Sequence, residues 1–142
     1  MPFDRELITD GLLAQPVNAI SSLAFLVSAG VLARSGLRIH AALMAALAVG
    51  SVLFHGFPSS VSSVVHDLAL LALVITVVAI VFRRPSIALS WPMALLVGGS
   101  VVWFFSRTGG PLCDPTSTVQ GYAIWHLVAV IGVTLIFQQE TA

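Results

Sequence analysis

Charge is scarce in this sequence. Only 8% of its 142 residues are Asp, Glu, Lys or Arg, where a soluble domain of this size carries about 25%. A soluble surface so short of ionisable groups would be nearly bare, so the medium this chain addresses is lipid. Lysine is absent. All six basic residues are arginine, six acids balance them to a net charge of zero, and no basic patch marks a nucleic-acid partner. The single cysteine, Cys113, excludes an internal disulfide and a metal site made of cysteine alone. The start, Met1-Pro2-Phe3-Asp4-Arg5-Glu6, is mixed in charge and lacks the basic opening of a secretory signal.

What fills the chain instead is apolar sequence, 58% of the residues, with a mean hydropathy of +1.02. It falls into five runs, residues 17–33, 41–57, 64–82, 87–105 and 121–137. A helix needs roughly 20 apolar residues to cross a hydrocarbon core ~30 Å thick, so each run is a short transmembrane span. The expectation is an all-α integral membrane bundle of about five transmembrane helices, with residues 1–142 forming one domain. Pro16 suits the first turn of the first helix, where its missing N–H is no loss. Residues 34–40 form a basic connection, 58–63 a serine-rich turn, and Arg83-Arg84-Pro85 a stop. Gly30 and Gly98-Gly99-Ser100 offer close helix packing. Trp91, Trp103 and Tyr122 suit the membrane interface.

Arginine placement orients the bundle. Arg34, Arg38, Arg83 and Arg84 lie in the first and third connections, whereas Arg5 and Arg107 on the other side are diluted by Asp4, Glu6, Asp10 and Asp114. Positive charge stays in the cytoplasm, which puts the N-terminus outside and the C-terminus inside. The end of the second run and the starts of the third and fifth then share one depth. Those places hold His55, with Ser51 four residues before it, then His66-Asp67, and His126.

Ionisable side chains inside a membrane are costly and mark function by default. Imidazole and carboxylate are zinc ligands. A bound zinc brings the pKa of its water to ~7, a nearby carboxylate can act as base, and a hydroxyl can steady an oxyanion. His55, His126, Asp67 and Ser51 provide those residue types, and His66 lies at the same depth. The plainer alternative is that each histidine makes a structural hydrogen bond at the interface. His40, beside Arg38 on the opposite side, reads as interfacial only.

Ser51-x-x-x-His55, an aspartate opening the next helix, and Gln120-Gly121-Tyr122-Ala123-Ile124-Trp125-His126 together resemble the alkaline ceramidase family. That family belongs to the CREST superfamily of membrane hydrolases, with the adiponectin-receptor-like proteins. Glu6, Gln15-Pro16-Val17-Asn18 and Ser21-Ser22-Leu23 look like its acidic N-terminal segment and first helix start. The similarity runs over nearly the whole chain in short motifs. It implies a buried zinc held by three histidines, an aspartate near the metal water, and a serine on the oxyanion. The reaction it implies is hydrolysis of the amide of a lipid such as ceramide. His55 would match the ligand of the second helix, His126 the second histidine of a His-x-x-x-His pair in the last, Ser51 the serine and Asp67 the aspartate.

Three departures stand out. Tyr122 occupies the position four before His126, where the family has histidine, and a phenol of pKa ~10 is a poor zinc ligand; His66 is the candidate substitute. Asp67 lies one residue further from His55 than the family spacing. Five spans replace seven, which leaves the last helix in the same orientation but alters the substrate groove. The family's calcium site would fall on Asp4, Glu6 and Asp10, with Gln15 where a glutamate is expected. Calcium takes 6–8 oxygens, so an acidic outer tail is the plainer reading. Two other functions remain open. One is a catalytically degenerate membrane protein that binds lipid or a partner. The other is a haem-b protein with His55 and His66 or His126 as axial ligands, which leaves Ser51 and Asp67 without a role. A homo-oligomer is compatible with five short spans.

Overall fold

The computed structural model describes residues 8–107, 109–114, 117 and 119–141, and among these every regular element is helical. The candidate calcium residues Asp4 and Glu6 lie outside the described residues, as does Arg5. Six α-helices follow in order: α1 (Pro16–Ser21), α2 (Ala24–Arg34), α3 (Arg38–Gly56), α4 (Ser60–Arg83), α5 (Trp91–Phe105) and α6 (Gly121–Thr141).

Pro16 does open α1, at the first turn. The first run is not one continuous helix, however, and its own serines explain the break. The hydroxyls of Ser21 and Ser22 both donate to the Asn18 carbonyl, at 3.0 and 2.7 Å. Such back-bonding competes with the regular ladder and bends helices. The following N–H groups of Leu23, Phe25 and Leu26 bond three residues back rather than four, and the chain resumes as α2. Gly36, at φ +81°, makes the tight turn into α3.

Two expected connections end in helix. Arg38–His40 is the first turn of α3. The serine-rich turn contributes the start of α4, because the Ser59 side chain accepts from Ser62 N–H while Ser62 Oγ accepts from Ser59 N–H. That reciprocal pair is a capping box with serine in the place of the usual Glu.

Among the described residues, four helical segments are long and apolar enough to cross a membrane: Pro16–Arg34 (α1 and α2 together), Arg38–Gly56, Ser60–Arg83 and Gly121–Glu140. The fourth expected span is shorter. Pro85–Leu89 forms a 3-10 turn, Ser90 is extended, and α5 restarts with Pro92 in its first turn. A proline cannot donate to the preceding turn, so the helix begins there. Its 15 residues span ~22 Å at 1.5 Å per residue. α5 nevertheless runs antiparallel along α6. Gly99 lies against Trp125 and Val128 near its C-terminal half, and Gly132 against the Pro92 carbonyl near its start. Through its described residues the chain therefore passes between the two ends of the bundle five times.

Glycine enables close packing at positions other than those expected. Gly30 and Gly98 have open space where a Cβ would stand. A Cβ on Gly50, by contrast, would lie 3.0 Å from the His66 Cα, so Gly50 is what brings α3 against α4. Gly99 plays that part between α5 and α6.

The helices form a curved row. α2 packs on α3 and α6, α4 on the outer side of α3, and α5 on the outer side of α6. Phe25, Leu32, Met44, Leu47, Ile80, Ile136 and Phe137 fill the core. α4 and α5 end the row, and an apolar cleft of about 610 Å³ opens between them.

Candidate functional site

The hydrophobic face of each helix fixes depth, and the Gly50 contact fixes register between α3 and α4. Together they bring the three expected histidines into one cluster. The ring centres of His55 and His126 are 5.4 Å apart, and those of His55 and His66 are 6.3 Å apart. All three side chains are buried, His55 completely.

Each ring has a neighbour on Nδ1. Gln15 Oε1 stands 2.7 Å from Nδ1 of His55, Ser21 Oγ 2.8 Å from Nδ1 of His126, and Asp67 Oδ1 2.9 Å from Nδ1 of His66. Gln15 is carried there by the backbone, since its N–H donates to the His55 carbonyl at 2.9 Å and that of Ala14 to the Gly56 carbonyl at 3.0 Å. The segment before α1 is thereby tied to the end of α3.

Ser51, also buried, stands one turn below His55. Its Oγ is 2.8 Å from Ser22 Oγ and 3.5 Å from Nε2 of His126. The His55 Nε2 is buried without a hydrogen-bond partner.

Asp67 is not inside this cluster. Its side chain is 74% exposed while that of His66 is 7% exposed, so it holds the outer edge of the His66 ring. Tyr122 is inside it, and not at the interface where its residue type suggested. Its ring meets those of His55 and His126 edge-on at 4.9 and 4.8 Å. Phe54 stacks on His66 at 4.8 Å. Arg107 lies over the Trp103 ring at 5.4 Å, and Trp91 is exposed.

Gln15, Asn18, Ser21 and Ser22 were not assigned to the site from their types alone. Asn18, Ser21 and Ser22 are the polar residues of an otherwise apolar run, and their i, i+3, i+4 spacing puts them on one helical face. That face is the one turned to His126.

Imidazoles bound to a tetrahedral zinc, with Zn–N of ~2.0–2.1 Å, hold their ring centres ~5 Å apart. The His55–His126 pair meets that spacing and His66 stands wider. Among the described residues no three His, Cys, Asp or Glu side chains already form a coordinating group. The donor types, the buried bare nitrogen of His55 and the oxygen on each Nδ1 do fit a zinc site, whose ligand histidines characteristically carry such outer partners. Calcium fits poorly. Asp10 is exposed and Gln15 Oε1 is committed to His55, so the described N-terminal residues gather no cage of the 6–8 oxygens it takes.

The apolar cleft reaches this cluster. Tyr122, Trp103 and Trp125 line it at the histidine end, and Val81, Phe82 and Met93 at the arginine end. Compared with family models, curated proteins and solved structures, the chain matches none.

Proposed function

We propose that this chain is a zinc-dependent membrane hydrolase that cleaves an amide bond in a lipid such as ceramide, and that its histidine end faces the exterior. The observation that carries the reading is the clustering of the buried His55, His66 and His126 rings, with the His55 Nε2 left without a hydrogen-bond partner. A buried polar atom left without a partner costs ~1–3 kcal/mol, so a ligand on that nitrogen would relieve the chain. When bound, zinc would supply a Lewis acid and water that ionises near neutral pH. The chain's own residues supply the rest. His55, His66 and His126 would hold the ion, Ser51 sits where its hydroxyl can turn to a developing oxyanion, and Asp67 steadies His66. The apolar cleft would take a hydrocarbon chain and keep water from the amide. From Leu70 to Phe82 it follows α4 for ~18 Å, close to the ~15 Å of half a hydrocarbon core. The orientation is supported by the arginines gathered at the opposite end.

Metal analysis of the purified protein, beside hydrolysis of a fluorescent ceramide, tests this. About one zinc per chain and metal-dependent turnover, both lost in His55→Ala, are the expected results. Wild type that stays metal-free after zinc is supplied would sink the reading.

One observation favours a second reading. The Tyr122 ring fills space beside both His55 and His126, where the ceramidase resemblance leads one to expect a ligand. A protein that keeps the cleft and binds lipid without chemistry would show saturable binding when metal-free and no turnover.

A further inference from the structure

Counting hydrogens in the cluster leads beyond the choice of ligands. The Ser21 hydroxyl has one hydrogen, and the Asn18 carbonyl accepts it at 3.0 Å. Ser21 Oγ can then only accept from its other neighbour, Nδ1 of His126 at 2.8 Å. With the Ser21 hydrogen on that carbonyl, His126 carries its own on Nδ1, and its Nε2 is a bare lone pair. At His55 the partner of Nδ1 is an amide oxygen, Gln15 Oε1 at 2.7 Å. An amide oxygen also only accepts, so Nδ1 is again protonated and the buried Nε2 is bare. At His66 a carboxylate oxygen of Asp67 faces Nδ1 at 2.9 Å, with the same result.

The inventory extends to Ser51. The Ser22 hydrogen goes to the Asn18 carbonyl at 2.7 Å, so Ser22 Oγ accepts from Ser51 at 2.8 Å. Ser51 thus has no need to place its hydrogen on the His126 Nε2, 3.5 Å away.

We infer that Gln15 and Ser21 are positioning residues that lock His55 and His126 in the Nδ1–H tautomer before any metal arrives, with Asp67 doing the same for His66. This rests on the zinc reading for its purpose but not for its test. A neutral imidazole free in water exchanges between two tautomers, and only the one with a bare Nε2 can ligate through that atom. A chain that fixes the tautomer in advance removes one reorganisation from metal binding. It also gives Gln15 a task different from the calcium-binding carboxylate expected at its position: the Gln15 side chain reads the proton on a ligand histidine.

Imidazole-labelled protein in detergent, stripped with a chelator, gives the tautomer of each histidine from its ring nitrogen shifts and couplings. His55, His66 and His126 are expected to be neutral and protonated on Nδ1. In Gln15→Leu only His55 should lose that pattern, in Ser21→Ala only His126, and Gln15→Glu should restore it, since a carboxylate also accepts. The unaffected histidines report that each variant is folded. Wild-type His55 or His126 protonated on Nε2 overturns the inference without need of any variant. A titration with zinc against a chelator follows. The leucine and alanine variants should bind ~10–100-fold more weakly, the usual effect of losing an outer-shell partner. Correct tautomers with no zinc uptake would uphold the inference and overturn the zinc reading, so the two failures are distinct.

Discussion

At the arginine end of the bundle, His40 Nε2 stands 3.0 Å from Glu140 Oε2, and Arg83 stands 2.9 Å from Oε1 of the same carboxylate. Arg84 donates to the Gln139 carbonyl at 2.8 Å, and the His40 ring rests on Phe137 at 4.2 Å. At the opposite end three histidines are buried, and their partners are an amide, a hydroxyl and one exposed carboxylate. The residue type is the same and the surroundings differ. Where the carboxylate meets Nε2, as at His40, that nitrogen is taken, and the ring helps to tie α3 to α6 while Arg83 ties α4 to the same carboxylate. Where only acceptors meet Nδ1, the ring keeps a lone pair to offer. Burial alone does not separate these roles, and neither does the presence of a carboxylate; which ring nitrogen meets the acceptor does.

The sharpest way to break that comparison is to remove one histidine from each end. His126→Ala should take zinc content to background, and with it any amide hydrolysis, whereas His40→Ala should leave both as in wild type. Elemental analysis of the two purified variants decides it. Equal loss in both would mean that the metal signal reports folding and not the cluster.

The second effect acts on the scaffold that makes the cluster. Gly50→Val puts branched atoms against the backbone of His66, 3.0 to 3.3 Å from where a Cβ begins. Backbone cannot swing aside as a side chain can, so α4 must move. Overpacking of this kind costs ~1–3 kcal/mol, which unfolding in detergent would measure. The tautomer signal of His66 should shift with it while that of His126 stays. Wild-type stability in Gly50→Val would mean that the α3–α4 contact is looser than its geometry.

Glu140→Gln tests the arginine end. Its partner Arg83 is 65% exposed, and pairs in that setting contribute ~0–1 kcal/mol. The expected loss of stability is correspondingly small, and zinc uptake should be unchanged. A loss of zinc in this variant would couple the two ends and end the contrast between them.

Much of this was legible in the chain and some was not, for definable reasons. Apolar runs bounded by arginines gave the helices and their depths, because lipid imposes length and charge rules that act residue by residue. The shared depth of His55, His66 and His126 followed from those rules. What depth could not give was lateral arrangement. It left Tyr122 at the interface when its ring lies among the histidines, and it placed Asp67 near the reacting centre when the carboxylate sits on the rim. The break after Ser22 and the early start of α4 escaped for another reason. Both depend on serine hydroxyls bonding to local backbone, and serine in an apolar run reads equally well as a tolerated helix residue. Gly50 escaped because a glycine's value lies in the partner it lets approach, and that partner is on another helix.

The smallest effect separates two hydroxyl pairs that resemble each other. Thr134 gives its hydrogen to the Val130 carbonyl at 2.5 Å, so Ser28 donates to Thr134 Oγ1, also at 2.5 Å. Ser28→Ala removes that link between α2 and α6 but strands no donor, and hydrogen bonds between membrane helices average ~0.6 kcal/mol. Ser22→Ala removes a bond of the same kind, so its effect on stability should be similar. Its consequence differs. Ser51 loses the acceptor at 2.8 Å, and the His126 Nε2 at 3.5 Å is within reach of its hydrogen. The hydroxyl would then compete with a metal for the lone pair the cluster keeps free. Zinc affinity should fall ~10-fold in Ser22→Ala, within the range for outer-shell changes, and stay at the wild-type value in Ser28→Ala. Unfolding and zinc competition on both variants measure the difference. Equal zinc affinity would make the two pairs equivalent, and the histidine end would differ from the rest of the bundle in its packing alone.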